Sequence, residues 1–243
     1  MPRGRVQANV CAIGHNVTVG NLVVLDRPTY GISQTAHLLG LRPDRVRSWL
    51  DGYHRHGRKY PPVVRADHTG SEIVTWGEFI ELGYLREYRR ADVALQRIRP
   101  VIARLREGLG TPYPLAHHRP WVYDRELVLA AQEAEGLEPA LAIVVRTGQE
   151  IMLSVVAEQF VKRIEFEGDT ARRWYPAGRF SPVVVDPTYS FGMPTVAGVA
   201  TENLYELVAA GETIADVANG YDLTEEQVRS ACMYEETVRR LAA

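Results

Sequence analysis

Hydrophobic positions in residues 31–50 recur three and four apart. Ala36 and Leu39 share one helix face, and Val46, Trp49 and Leu50 form the stripe of a second helix. Ser33 stands where an N-cap belongs, Gly40 where a chain leaving a helix takes positive φ, and Pro43 at a first-turn position. The pattern predicts a helix-turn-helix over about 31–50, with Arg42, Asp44, Arg45, Arg47 and Ser48 pointing outward. Two short β-branched runs follow, Pro62-Val-Val-Arg65 and Glu72-Ile-Val-Thr75, on either side of Asp67-His-Thr-Gly70. They predict a β-hairpin. Thr75-Trp-Gly-Glu78 is a capping box for a helix to about Arg90 that buries Trp76, Phe79, Ile80, Leu82 and Leu85. A further helix is expected from Asp92 to about Glu107, kinked or broken at Pro100. Upstream, Val17-Thr-Val19 and Leu22-Val-Val-Leu25 read as short strands or an extended arm.

The pattern is weaker from residue 111 onward. Pro112, Pro114 and Pro120 mark a connector, and Trp121-Val-Tyr123 and Leu127-Val-Leu129 suggest short strands. Leu137 to Val145 fits helix or strand, and Ile151 to Ile164 fits an amphipathic helix. Ile164-Glu-Phe166 and Ala171-Arg-Arg-Trp174 around Glu167-Gly-Asp169 predict a second hairpin, whose strand alternation accounts for Glu165, Glu167 and Asp169. An extended pair, Pro182–Pro187 and Met193–Val196, surrounds Ser190-Phe-Gly192. Three short helices close the chain, capped by Thr201, Thr213 and the box Thr224-Glu-Glu-Gln227. The fold class is therefore α+β and helix-rich, with a hairpin and a three-helix, homeodomain-like bundle at the C-terminus.

Composition changes this picture mainly through charge. The net charge of -2 hides an asymmetry: residues 1–110 carry 17 Lys and Arg against 10 Asp and Glu, and residues 111–243 carry 11 against 20. A basic half suits a polyanion. Within 182–243 only Arg229, Arg239 and Arg240 face ten acids, which opposes phosphate neutralisation and marks that bundle as a dimer or partner surface. No run approaches the ~20 apolar residues of a membrane span. Two cysteines far apart, Cys11 and Cys232, point to no disulfide and no zinc site, and so to a reducing cytoplasm. His54 and His56 lack partners with metal-ligand spacing. With no GxSxG, P-loop, HExxH or paired Cys/His set, the chain is not expected to be an enzyme or to need a cofactor.

The candidate DNA contacts are Gln34, Thr35, Arg42, Arg45, Arg47 and Ser48 from the helix pair, and Arg55, Arg58, Lys59 and Arg65 from the basic stretch and hairpin behind it. Ala36-x-x-Leu39-Gly-Leu41 with Pro43, Val46 and Trp49, then a hairpin and a capped helix, resembles the winged helix-turn-helix of the MerR-like kind over 31–107. The stretch Ala209–Ala218 followed by Leu223, Thr224 and Val228 resembles a small bacterial antitoxin-associated domain, and Val185-Asp-Pro187, Phe191-Gly192 and Pro194 match its leading segment. That family's usual Gly-Thr-Arg is here Ala197-Gly-Val199, a departure that leaves open any role of the Arg.

Together the two halves resemble VapB-type antitoxins of type II toxin–antitoxin pairs, the long winged-helix kind of mycobacteria. The resemblance implies three units: a DNA-binding domain with its arm over 1–110, an α+β connector over 111–181, and a partner and dimerisation domain over 182–243. It implies a homodimer that binds operator DNA to repress its own operon and neutralises a PIN-type ribonuclease encoded nearby. PIN sites are commonly blocked by a basic side chain, for which Arg229, Arg239 and Arg240 are the candidates. The rival expectation is a stand-alone MerR-like transcriptional regulator whose middle region senses a small molecule.

Overall fold

The structure, a computed structural model, describes residues 24–117, 144–147, 150–153 and 155–242. The expectations for Val17-Thr-Val19, Trp121-Val-Tyr123 and Leu127-Val-Leu129, and for most of Leu137–Val145, lie outside those residues. The described chain mixes helix with five two-stranded sheets, all antiparallel.

Strand β1 (Pro28–Gly31) leads directly into α1 (Ile32–Leu39). Ser33 does not cap this helix; Gly31 is the N-cap residue, with no side-chain bond. None is needed at Ile32, because its N–H is taken at 3.2 Å by the carbonyl of Glu72, the residue just ahead of Ile73–Thr75. Gly40 ends α1 at φ 59, and the Leu41 N–H returns to the Ala36 carbonyl at 2.8 Å, closing the helix end as expected. Helix α2 (Pro43–Asp51) starts at its proline and buries Val46, Trp49 and Leu50.

The first hairpin is not where the β-branched runs placed it. Strands β2 (Tyr53–Arg55) and β3 (Arg58–Tyr60) pair around His56-Gly57, both at positive φ (50 and 73), the backbone of a two-residue turn that matches strand twist. Val63 and Val64 are adjacent and both buried, so they cannot alternate along a half-exposed strand. Both their N–H groups donate to the Trp49 carbonyl at 3.0 Å. Strand β4 (Ile73–Thr75) pairs with β1 instead.

Helix α3 (Trp76–Arg90) carries the expected box. The Glu78 N–H donates to Thr75 Oγ1 at 3.3 Å, and the Thr75 N–H to Glu78 Oε2 at 2.9 Å. Helix α4 (Leu95–Leu109) begins after Ala94, not at Asp92, whose φ of 58 turns the chain between the helices. Pro100 lies inside α4 without ending it. The long helix expected over Ile151–Ile164 is a strand and a short helix. Strands β5 (Val144–Thr147) and β6 (Glu150–Leu153) pair, then α5 (Val155–Val161) follows. A short apolar run cannot tell these apart by period. The second hairpin is as expected: β7 (Ile164–Glu167) on β8 (Thr170–Trp174).

In the last segment Val184 and Thr195 exchange both backbone hydrogen bonds at 2.9 Å, on either side of a 3₁₀ turn, Ser190–Gly192. Strands β9 (Thr195–Val196) and β10 (Val199–Ala200) form a tight hairpin ahead of α6 (Thr201–Ala209), α7 (Ile214–Gly220) and α8 (Glu225–Ala242). Thr213 caps α7 and the Thr224/Gln227 box caps α8 as predicted. Thr201 is instead inside α6, and its buried hydroxyl bonds the Glu235 carboxylate of α8. That contact ties two helices together and leaves capping to the backbone.

Two apolar cores result. One gathers α1 to α4 with Phe160, Trp174 and Val185; the other packs Val183, Val196, Leu204, Val217, Val228 and Val238. They meet where the Tyr30 hydroxyl donates to the Gly192 carbonyl at 2.6 Å and Gln34 Nε2 lies 2.8 Å from Met193 Sδ.

Candidate nucleic-acid interface and partner face

The outer face of α2 is polar because Val46, Trp49 and Leu50 take all of its buried positions. Arg42, Arg45 and Arg47 are exposed, and Ser48 is half-buried with its hydroxyl on the Asp44 carbonyl at 2.7 Å. Arg42 pairs with Asp44 at 3.0 Å. Arg47 holds Glu72 with two bonds of 2.9 Å, which raises the guanidinium and lowers the carboxyl from their ordinary values. Arg45 makes no ion pair among the described residues. The β2–β3 hairpin stands beside α2, with Arg55, Arg58 and Lys59 all exposed. Tyr53 and Tyr60 stack across it, ring centres 4.6 Å apart and nearly parallel.

Between α2, the hairpin and the start of α4 runs an open groove of about 460 Å³. Arg42, Arg45 and Arg55 line it, joined by Arg89 and Arg99, against the single carboxylate of Asp44. Its aromatic wall is Trp49, Tyr53 and Tyr60. Five guanidinium groups over flat rings make a surface suited to phosphate and sugar. Helical spacing alone would leave Arg99 on a solvated face of α4. Arg99 instead donates to the Pro62 carbonyl at 3.1 Å, and Arg106 to the carbonyls of Pro112 and Val64, so the arginines of α4 staple the non-strand segment 62–64 to the helix. Burial pulls the Arg99 guanidinium below its ordinary value, countered by Tyr53. No local pattern distinguishes these arginines; their role comes from the fold-back of 61–65.

Three sequence candidates lie elsewhere. Thr35 is fully buried, and Gln34 is half-buried against Met193. Arg65 is not on a surface hairpin but buried, 2.7 Å from Glu78 and 2.9 Å from Asp51, with further bonds to Thr69 Oγ1 and the Ser71 and Ile73 carbonyls. Burial alone would raise the Asp51 carboxyl, but the Thr69 N–H and the Arg65 guanidinium outweigh it and hold it below its usual range. Arg65 organises the loop under α3 and is out of reach of a surface ligand.

On the acidic face, Arg229 is tied to Glu225 at 2.7 Å. Arg239 reaches Glu202 at 3.7 Å and lies over the Tyr205 ring at 4.6 Å. Arg240 donates to the Glu236 carbonyl at 3.4 Å. All three are exposed on α8, but about 15 Å of helix rise separates Arg229 from the other two. His54 faces Lys59 across the hairpin and His56 sits in its turn; among the described residues no three His, Cys, Asp or Glu side chains gather as a metal site would need. Glu165 is held by Arg173 at 3.0 Å and the Tyr175 hydroxyl at 2.6 Å, and Glu167 by Arg172 at 3.4 Å, so two acids of that hairpin serve an arginine lattice. No helix among the described residues is long and apolar enough to cross a membrane.

Comparison with known proteins adds the following. Residues 183–234 match the family described as a protein of unknown function, DUF433. The chain is 32% identical over 227 residues to the uncharacterized protein Rv2308 of Mycobacterium tuberculosis, covering 89% of this chain and 93% of that one. It is 29% identical over 224 residues to a protein of the same organism named as a proposed antitoxin, VapB45, covering 85% and 93%. The crystal structure of Rv2018, also from Mycobacterium tuberculosis, shares the fold at a TM-score of 0.67 and 24% identity, over 85% of this chain and 98% of that one. None of these names gives a catalytic activity.

Proposed function

This chain belongs to the family of the Mycobacterium tuberculosis protein Rv2308, and from that footing we propose that it is an antitoxin that represses its own operon. Its toxin-antitoxin role is supported by the likeness to the VapB45 protein over 85% of the chain. The partner is a toxin encoded nearby, a ribonuclease of the PIN type. The DNA half of the reading is carried by one observation, the arginine-lined groove between α2 and the β2–β3 hairpin.

In this reading α1 and α2 are a helix-turn-helix and the β2–β3 hairpin is its wing. Helix α2 enters the major groove with Arg42, Arg45, Arg47 and Ser48, while Arg55, Arg58 and Lys59 follow the phosphate backbone. Arg89 and Arg99 extend that track, and Gln34, Thr35 and Arg65 drop out of it because the fold uses them. A homodimer presents two such surfaces to a palindromic operator. The acidic C-terminal bundle, with net charge -7 over 182–243, faces the toxin. Arg240 is the best placed of its arginines to meet the toxin's carboxylates, since Arg229 and Arg239 already have acidic partners in their own chain.

Co-expression with the neighbouring reading frame tests the antitoxin half. That frame should arrest growth alone, and this chain should restore growth and co-purify with it. A harmless neighbour, or no rescue, ends the reading. A mobility shift on the operon's promoter tests the other half separately: a complex that leaves the promoter unshifted removes autorepression while keeping the antitoxin.

A further inference from the structure

Helix α2 has two polar flanks, and they are built differently. Arg45 lines the groove shared with the β2–β3 hairpin. Arg47 stands on the other flank, against the loop 66–72 that leads into β4. Every residue of 66–73 is exposed, yet the loop is fixed from beneath. Buried Arg65 donates to Thr69 Oγ1 at 2.7 Å and to the carbonyls of Ser71 and Ile73 at 3.1 and 2.8 Å. The Thr69 N–H donates at 2.8 Å to Asp51, the last residue of α2. The Glu72 carbonyl accepts the first N–H of α1, and the next residue, Ile73, pairs with Gly31. Glu72 is thereby set at one place beside α2.

Its contact with Arg47 uses one edge of the guanidinium. Arg47 Nε and Nη2 donate to the two carboxylate oxygens of Glu72, both at 2.9 Å. A guanidinium carries five N–H donors in a planar fork. Glu72 takes two along one side, which leaves the end of the fork, Nη1 with the second hydrogen of Nη2, clear of the carboxylate. The Arg47 side chain is 51% exposed and that of Glu72 64%. A pair so exposed adds little to stability, and on a surface that meets phosphate a carboxylate opposes binding. What the pairing does supply is orientation: two parallel N–H donors in a fixed plane on the exposed side of a helix. Donors in that arrangement match the N7 and O6 atoms on the major-groove edge of guanine.

We propose that Arg47 and Glu72 act together as a base reader: Arg47 meets the N7 and O6 of an operator guanine, and Glu72 is the positioning residue that holds its plane and keeps it off the phosphates. The inference rests on the DNA reading of α2 and adds a source of its selectivity. Phosphate contacts are the same on every duplex, whereas a base contact forms only at the matching sequence. Away from that guanine the guanidinium stays with Glu72, so other DNA gains nothing from it.

The test is fluorescence anisotropy of the full-length chain on the promoter fragment and on an unrelated duplex of equal length, each over a range of salt. Both side chains are exposed, so Arg47→Ala and Glu72→Gln should melt as the wild type does. Arg47→Ala should lower the ratio of promoter to unrelated affinity by about fivefold or more, and should leave the salt slope on unrelated DNA unchanged. Glu72→Gln releases the guanidinium to phosphate. On unrelated DNA its affinity should rise and its slope of log affinity against log salt should steepen by about one. The promoter complex, whose Arg47 is already engaged, should gain less, so the ratio falls here too. Replacing promoter guanines one at a time by 7-deazaguanine, which lacks the N7 acceptor, should weaken the wild type at one position or more and leave Arg47→Ala unaffected there. A wild-type chain that binds both duplexes equally overturns this inference and the DNA reading together. A wild type that prefers the promoter, with either variant keeping that preference undiminished or with no 7-deazaguanine position separating wild type from Arg47→Ala, overturns the inference and leaves the DNA reading standing.

Discussion

Arg65 shows how far a residue's role depends on what surrounds it. In sequence it is one more cation in a basic stretch; in the fold its guanidinium neutralises Glu78 and Asp51 and gathers the carbonyls of the 69–73 loop. Arg65→Met should cost about 3–5 kcal/mol, because it strands two carboxylates away from water. Urea unfolding of the purified chain measures this, and a loss below about 1 kcal/mol would mean the network is solvated. Glu81 offers the opposite case. Burial pushes its carboxyl up to about 8, with the Leu115 N–H at 2.9 Å and Arg106 pulling only partly back. The folded state therefore holds this proton more tightly than the unfolded chain, whose glutamate titrates at about 4.3. The resulting stability is complete below that value and is lost as pH rises through about 8. Glu81→Gln keeps an acceptor for Leu115 and should flatten the dependence of unfolding free energy on pH between about 5 and 8. A variant that keeps the wild-type slope would place the titration elsewhere. Asp51, held low, acts in the other direction: its contribution is present above the ordinary aspartate range and is lost as pH falls through its depressed folded value.

At the scale of elements, three of the five expected caps were legible, those at Ser33 and Thr201 were not, and the β2–β3 hairpin was missed. Thr75/Glu78, Thr213 and Thr224/Gln227 form the bonds their spacing requires, because a capping box needs only three residues of local chain. The β2–β3 hairpin has no apolar alternation to reveal it, since β2 is wholly exposed and β3 nearly so. Its one signal was His56-Gly57, a turn with Gly second, in a run whose basic character was its other visible feature. If α2 and this hairpin form the reader, Arg45→Ala and Arg55→Ala should each reduce the slope of log affinity against log salt by about one. Fluorescence anisotropy on the promoter fragment gives that slope; an unchanged value for both puts the DNA face elsewhere. Arg47 is a subtler case. Glu72 holds it at 2.9 Å by two bonds, so Arg47→Ala should weaken binding less than Arg45→Ala, and Glu72→Gln should strengthen it by freeing a cation beside the groove. A weaker promoter complex for Glu72→Gln would show that orientation by Glu72 outweighs the charge it withholds.

For the whole molecule, the joints between distant segments carry the fold. Gly83 of α3 lies so close beneath the Phe160 ring of α5 that a Cβ there would overlap it. Gly83→Ala should therefore cost about 1–3 kcal/mol through overpacking, seen as a lower urea midpoint with the same slope. A neutral result would mean that α5 moves freely on α3. Tyr30 bridges the two cores through its hydrogen bond to the Gly192 carbonyl, 162 residues away in sequence. Tyr30→Phe leaves that carbonyl without this partner, and should lower stability by about 1–3 kcal/mol. Hydrogen exchange should show faster opening around 190–193 while the amides inside α6 to α8 keep their protection; uniform loss across α8 would show that the two cores unfold as one.

The sequence by itself determined the local order of this protein. Helix periods, Gly40, Pro43 and the caps at Thr75, Thr213 and Thr224 are set by neighbours within one turn, and the helices they predict over 31–90 and 213–242 stand within a residue or two of where they fall. The charge asymmetry, too, is a property of composition alone. Only the tertiary structure decided which strands pair, because β4 finds β1 across more than forty residues rather than the nearer β-branched run. It also decided which arginines face solvent. Arg45 and Arg65 are the same side chain in equally basic surroundings, yet one lines an open groove and the other fills a buried carboxylate cluster. The energy of a charge depends on what the chain brings around it from elsewhere, and a one-dimensional pattern carries no record of that.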